Sequence, residues 1–134
     1  MDVSERILRE FSSIAVVGLS RDPSKSAHSI PQAMQAAGYR VLPVNPEASE
    51  LLGQPVYKSL GEIPEPLELV LVFRPSEQAA EVARQAVAAG AKALWLQLGI
   101  RSEEARRIAE RAGLLFVEDR CIGVERSLLR ITKH

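Results

Sequence analysis

Uninterrupted apolar runs alternate along this chain with longer stretches in which alanine and other apolar residues recur at helical spacing. The first run, SIAVVGL from Ser13 to Leu19, carries no polar residue between Ile14 and Val17, the pattern of a strand covered on both faces. It predicts a strand that ends at Gly18. A helix follows to about Ala37, carried by Ile30, Met34 and Ala37, with Gly38 placed to stop it. Pro31 lies inside that pattern, so the helix either begins there, with the proline in its first turn, or begins near Ser26 and is kinked. YRVLPVNP predicts a second strand closed by Asn45-Pro46. PVY, Pro55 to Tyr57, predicts a very short third, and LELVLVF, Leu67 to Phe73, a fourth.

The later part of the chain repeats the alternation. A helix is expected from Ser76, as N-cap, to Ala89, with Gly90 as its stop. ALWLQLG reads as the next strand. Ser102 then caps a helix that has Glu103 and Glu104 in its first turn and ends at Gly113. LLFVED is the last strand, and GVERSLLRI forms a short terminal helix. Strands separated by single helices imply right-handed crossovers. The expectation is therefore a single α/β domain over residues 1–134, Rossmann-like and doubly wound, its mainly parallel sheet flanked by helices on both faces.

Ligands of such sheets bind outside the carboxyl ends of the strands, where the strand order reverses. That rule selects five loops before any chemistry is invoked: Gly18 to Lys25, Asn45-Pro46, Arg74-Pro75-Ser76, Gln97 to Ile100, and Glu118 to Cys121.

Composition narrows what these loops can hold. The 134 residues include seventeen basic and seventeen acidic side chains, so no net field draws in a polyanion, and nucleic acid is not an expected partner. An anionic ligand needs a local site. The single Cys121 cannot form an internal disulfide, MDVSERILREFSS is too charged for a secretory segment, and no apolar run approaches a membrane span. A cytoplasmic protein is expected. Thirteen of the cations are arginines and Asn45 is the only asparagine, a bias compatible with a heat-loving source or with GC-rich codons.

VGLSRDPSKS, Val17 to Ser26, has the makings of a phosphate loop. A strand-end glycine admits an anion to the backbone, the next helix offers amide groups, and Ser20, Ser24, Ser26, Arg21 and Lys25 add donors and charge. The competing reading is a plain Asp22-Pro23-Ser24 turn with serine caps. A P-loop is excluded because Ser24, not glycine, precedes Lys25. The dinucleotide fingerprint is short of glycines, and Asn45-Pro46 stands where an acidic ribose ligand would end the second strand. Arg74, held by Pro75, can pair with a phosphate or stack on a base, or can simply be solvated. No catalytic set emerges: His28 falls in the first predicted helix, His134 is terminal, and Cys121 has no identifiable base. No metal-ligand spacing occurs either.

Taken in order, VGLSRDPSKSAHSIPQAMQAAGYRVLPVNP, LVFRP, ALWLQLGI and VEDRCIGVE resemble the small stand-alone CoA-binding proteins. These are similar to the CoA-binding N-terminal domain of the succinyl-CoA synthetase α subunit. The resemblance implies coenzyme A as ligand, lying across the strand carboxyl ends. It implies that Gly18, Leu19, Ser20 and Arg21 line the phosphate loop, with Ser24, Lys25 and Ser26 near the diphosphate or the 3′-phosphate. Val44, Asn45, Pro46, Phe73, Arg74 and Pro75 would border the adenosine part. The pantetheine arm would run toward Gln97, Leu98, Gly99, Ile100 and the EDRC loop.

Two departures qualify the comparison. Arg21-Asp22-Pro23 replace later glycines of the synthetase loop, and 134 residues leave no room for the domain that carries the synthetase's phosphorylated histidine. The expectation is a non-catalytic module that binds CoA or an acyl-CoA, compatible with a homodimer or an unidentified protein partner. Two alternatives stay open: a small enzyme of CoA-thiol or acyl-CoA chemistry using Cys121, and an NAD(P)-binding regulatory domain.

Overall fold

A computed structural model describes residues 1–134. The chain opens with a helix that the alternation of runs does not predict, α1 (Val3–Glu10), whose first turn is capped by the Asp2 carboxylate accepting the Ser4 N–H at 2.8 Å. There follow β1 (Ser13–Val17), α2 (Ser26–Ala36), β2 (Arg40–Val44), a hairpin of β3 (Glu50–Leu51) and β4 (Gln54–Pro55), and a 3-10 turn at Leu60–Glu62. Then come β5 (Leu69–Val72), α3 (Ser76–Ala88), β6 (Ala93–Leu96), α4 (Glu103–Arg111), β7 (Leu115–Val117) and α5 (Ile122–Leu129). No helix is long and apolar enough to cross a membrane.

The main sheet has the order β2-β1-β5-β6-β7 with every pairing parallel. Side-chain alternation divides each strand between two cores. Ile14, Val16, Leu69, Leu71 and Trp95 face α1, α2 and α5 through Ile7, Leu8, Met34 and Ile122. Ala15, Val17, Val70, Val72 and Leu94 face α3 and α4, whose buried Ala79, Ala83, Ala105 and Ala109 let the helices lie close to the sheet. Burial on both faces is why the strand sequences are continuously apolar. The layers match the expected α/β Rossmann-like fold.

Three local expectations resolve or change. Helix α2 begins at Ser26 and passes through Pro31. Ser76 is not the cap of α3: Pro75 occupies the cap position, and the Ser76 hydroxyl accepts the Arg101 N–H at 3.1 Å instead. Ser102 does cap α4, accepting the Ala105 N–H at 3.0 Å. The predicted third strand shrinks to one residue. Gln54 and Pro55 pair antiparallel within the hairpin, and only Tyr57 reaches the sheet, donating to Pro43 O at 3.0 Å and accepting from Asn45 N–H at 2.9 Å. Pro55 has no N–H with which to extend that ladder. With Tyr57 counted as a rudimentary edge, the strands run third, second, first, fourth, fifth, sixth, and the winding reverses between β1 and β5.

Helix α1 is fastened to this frame by Tyr39, a buried residue whose hydroxyl donates to the Leu8 carbonyl at 2.6 Å. Burial pushes the phenol from 10.0 up to about 12. Between those values the native chain keeps a proton that the unfolded chain has lost. This contribution is therefore complete below pH 10 and declines as pH rises toward about 12. Denaturation midpoints across that window should fall more steeply for the native sequence than for Tyr39→Phe, which has no proton there to lose.

Candidate functional site

The carboxyl end of β1 meets the end of β5 at the reversal of the sheet. Gly18 adopts φ +92°, and a Cβ there would stand 2.8 Å from the Phe73 carbonyl oxygen and 3.2 Å from the Arg74 side chain. Only glycine lets the first loop and Arg74 share this space.

Beyond Gly18 the chain makes a tight turn held by its own side chains. Ser20 Oγ accepts the Asp22 N–H at 3.1 Å, while Asp22 Oδ1 accepts the Ser24 N–H at 3.0 Å and the Ser24 hydroxyl at 2.7 Å. The Ser24 hydroxyl and amide hold the Asp22 carboxyl below the usual carboxylate range. The Asp22-Pro23-Ser24 turn of the competing reading is therefore present, but no serine caps α2, whose cap position is held by Lys25.

The loop is also tied to α2 through a gap that Pro31 creates. Lacking an N–H, Pro31 leaves the Ala27 carbonyl without its helical donor, and the Ser20 N–H fills the vacancy at 3.0 Å. The Ser20 carbonyl accepts in turn from His28 Nδ1 at 2.7 Å, which places the proton on that nitrogen. His28 acts as a clamp on the loop. The amides of Leu19, Arg21, Ser26 and Ala27 have no protein acceptor, the last two at the N-terminus of α2.

Two cavities flank Arg74 along the rim. The first, of about 620 Å³, is lined by Gly18, Leu19 and Ser20, by Val44, Asn45, Pro46 and Glu47, by Lys58 and Ser59, and by Glu77, Gln78 and Glu81 of α3. The second, of about 450 Å³, is lined by Lys25, Ser26 and Ala27, by Phe73 and Pro75, and by Gln97, Leu98 and Ile100. Arg74 belongs to both. It is half-buried, and neither it nor Arg21, Lys25 or Lys58 makes an ion pair. Elsewhere Arg6, Arg9, Arg40, Arg84, Arg101, Arg106 and Arg120 are paired. Asn45 braces the two neighbouring loops, donating Nδ2 to Leu19 O at 3.2 Å and accepting the Glu47 N–H at 2.8 Å.

Of the expected site residues, Gly18, Leu19, Ser20, Lys25, Ser26, Val44, Asn45, Pro46, Phe73, Arg74 and Pro75 line these cavities. Arg21 and Ser24 line neither: Ser24 is spent on Asp22, and both are exposed at the outer edge of the turn. The fifth loop also stays outside. Glu118 accepts from Ser102 N–H at 3.0 Å and from Arg106 at 2.7 Å, and Asp119 accepts the Gly99 N–H at 2.7 Å, so these carboxylates brace the rim. Cys121 is half-buried at the start of α5 and lines neither cavity.

The sequence reading misses Glu47, Lys58, Ser59, Glu77, Gln78 and Glu81. Lys58 comes to the site only because the Tyr57 bridge swings the chain back beside Val44, and one residue of bridging carries no periodic signal. Glu77 and Glu81 had a readable cue in their i,i+4 spacing just after Arg74.

Comparison with known proteins adds an independent line. The family described as a CoA binding domain matches residues 12–127. The uncharacterized protein YneT of Bacillus subtilis is 40% identical over 126 residues, covering 94% of this chain and 93% of its own. A hypothetical protein from Pyrococcus horikoshii superposes with a TM-score of 0.92 at 34% identity, over 97% of this chain and 93% of that one. The α subunit of an ADP-forming acetate–CoA ligase II from Pyrococcus furiosus is 28% identical over 83% of this chain, which spans only 27% of that subunit's length.

Gly18→Ala is expected to cost at least about 1 to 2 kcal/mol from the positive φ alone, with the approach to Phe73 O adding to it; chemical denaturation measures the loss. Pro31→Ala supplies the missing helical N–H to Ala27 O and should displace Ser20. Faster amide exchange at Ser20 in a chain of undiminished helicity is the expected outcome.

Proposed function

This chain belongs to the CoA binding domain family, and from that premise we propose that it binds coenzyme A, free or acylated, as a non-catalytic module across the carboxyl ends of its strands. The observation that carries the proposal is the pair of cavities joined at Arg74, with uncommitted amides of the α2 N-terminus beside the junction. Coenzyme A is an adenosine 3′-phosphate joined through a diphosphate to a long pantetheine arm. It needs two elongated compartments with positive charge between them.

Adenosine is assigned to the first cavity. There Glu47, Glu77 and Glu81 suit hydroxyl and amino donors and disfavour phosphate, while Lys58 at the rim offers charge to the 3′-phosphate. The diphosphate is assigned to the junction, where Arg74 presents a fixed fork of donors and Ser26 and Ala27 present helix N-terminal amides. The pantetheine arm then enters the second cavity between Phe73, Leu98 and Ile100. Neither cavity is lined by a cysteine or a histidine, which favours binding over chemistry at the thiol end.

Calorimetric titration with CoA, dephospho-CoA, NAD and ATP at one salt concentration tests this. CoA should bind more tightly than NAD or ATP, and Arg74→Ala should weaken it by about 1 to 3 kcal/mol, the range for a charge-assisted bond. Lys25→Ala, on the far side of the junction from adenosine, should weaken CoA and dephospho-CoA alike. Absence of CoA binding would overturn the proposal, and tighter binding of NAD would replace it with a dinucleotide site.

A further inference from the structure

Large apolar side chains are exposed at only four positions: the terminal Met1, Leu98 on the rim, and Val124 and Leu128 on α5. The last two are 53% and 74% exposed and stand one helical turn apart, so they form a short apolar ridge along α5. Beside that ridge runs α2, packed closely enough that a Cβ at Gly123 would stand 3.3 Å from Ile30 Cδ1. Small side chains, Ser29, Ala33 and Ala36, recur at i, i+4 and i+7 along the exposed side of α2. A ridge on one helix therefore adjoins a shallow trough on its neighbour.

Charge sets this face apart from the others. On α1 and on α4 every exposed residue is charged, whereas α2 and α5 expose no charged residue along their whole lengths. The two charged side chains of α5 are turned to the chain itself: Glu125 accepts from Arg120 at 3.2 Å, and Arg126 donates to the Ile131 carbonyl at 3.0 Å. A two-fold axis brings like charges toward one another across an interface, and the centres of interfaces are depleted in charge. A face without charge can meet itself, while an acidic or basic partner finds nothing on it to pair with. We propose that the α2–α5 face is the interface of a homodimer. With the two-fold axis along the seam between the helices, the Val124–Leu128 ridge of each chain lies in the Ser29–Ala33–Ala36 trough of the other. One surface supplies both halves of the contact, so association closes at two copies. None of these five residues lines either cavity, so the inference stands apart from the coenzyme A reading.

Sedimentation velocity between about 1 and 500 µM tests this, since a dimer built on so short a ridge should dissociate within that range. Val124→Glu and Ala33→Lys, both at exposed helical positions, put one charge on the ridge and the opposite charge in the trough. Thermal melts establish that each variant is folded. Each alone should weaken association at least about tenfold, because a charge is then pressed against an apolar surface. Mixed in equal amounts the two variants should associate again: the new carboxylate of one chain meets the new ammonium of the other, and the second ridge and trough remain native. A native protein that stays monomeric throughout the range overturns the proposal. So does a dimer that neither folded variant disturbs, which would place the interface elsewhere, and so do variants that remain apart when mixed. A monomer that instead sediments with phosphatidylcholine vesicles, and ceases to do so as Val124→Glu, would give the face to a membrane surface and overturn the proposal as well.

Discussion

At the reversal of the sheet, the end of β1 runs so close to the Phe73 carbonyl that no side chain fits at position 18. Most of the rim follows from that proximity. Because the chain can leave β1 with a positive φ, it turns across the strand ends, and the loop arrives beside Arg74. Arg74 in turn divides the open rim into two compartments. Parallel pairing of Val17 with both Val44 and Val72 sets the three loop origins side by side, so the geometry of a single residue propagates to three loops.

Two acidic side chains beside this rim serve as structural acceptors. Glu118 and Asp119, adjacent in sequence and therefore tempting as a catalytic pair, each hold a backbone N–H of a neighbouring loop. At the opposite edge Glu68 does the same for the start of β1. Burial opposes its ionisation, but donation from the Ser13 amide and hydroxyl and from the Ser12 amide holds its carboxyl below the usual range. Lys25, Lys58 and Arg74 make no ion pair, although Glu47, Glu77 and Glu81 line the same rim.

The architecture was legible because strand burial on two faces writes itself as unbroken apolar runs, and helices between them as alanine-rich spacing. Most of the rim was legible for the same reason, since loops at strand ends are located once the strands are. What escaped depends on competition among near neighbours. Pro75 displaced Ser76 from the capping position, Ser24 turned to Asp22, and Lys58 was delivered by one bridging residue. None of these outcomes has a period. Helix α1 escaped although Asp2 and Glu5 stand at the spacing of a capped first turn.

Pro31 has a thermodynamic consequence for the loop it influences from a distance. A proline inside a helix is ordinarily a defect, yet here the carbonyl it strands becomes the anchor for Ser20, with His28 fastening the same residue from its other side. A loop already frozen by these two bonds surrenders little conformational entropy when an anion arrives. Affinity at such a rim is governed by contacts made and water released, and its heat and entropy of association should resemble those of a rigid receptor more than those of a chain that folds around its guest.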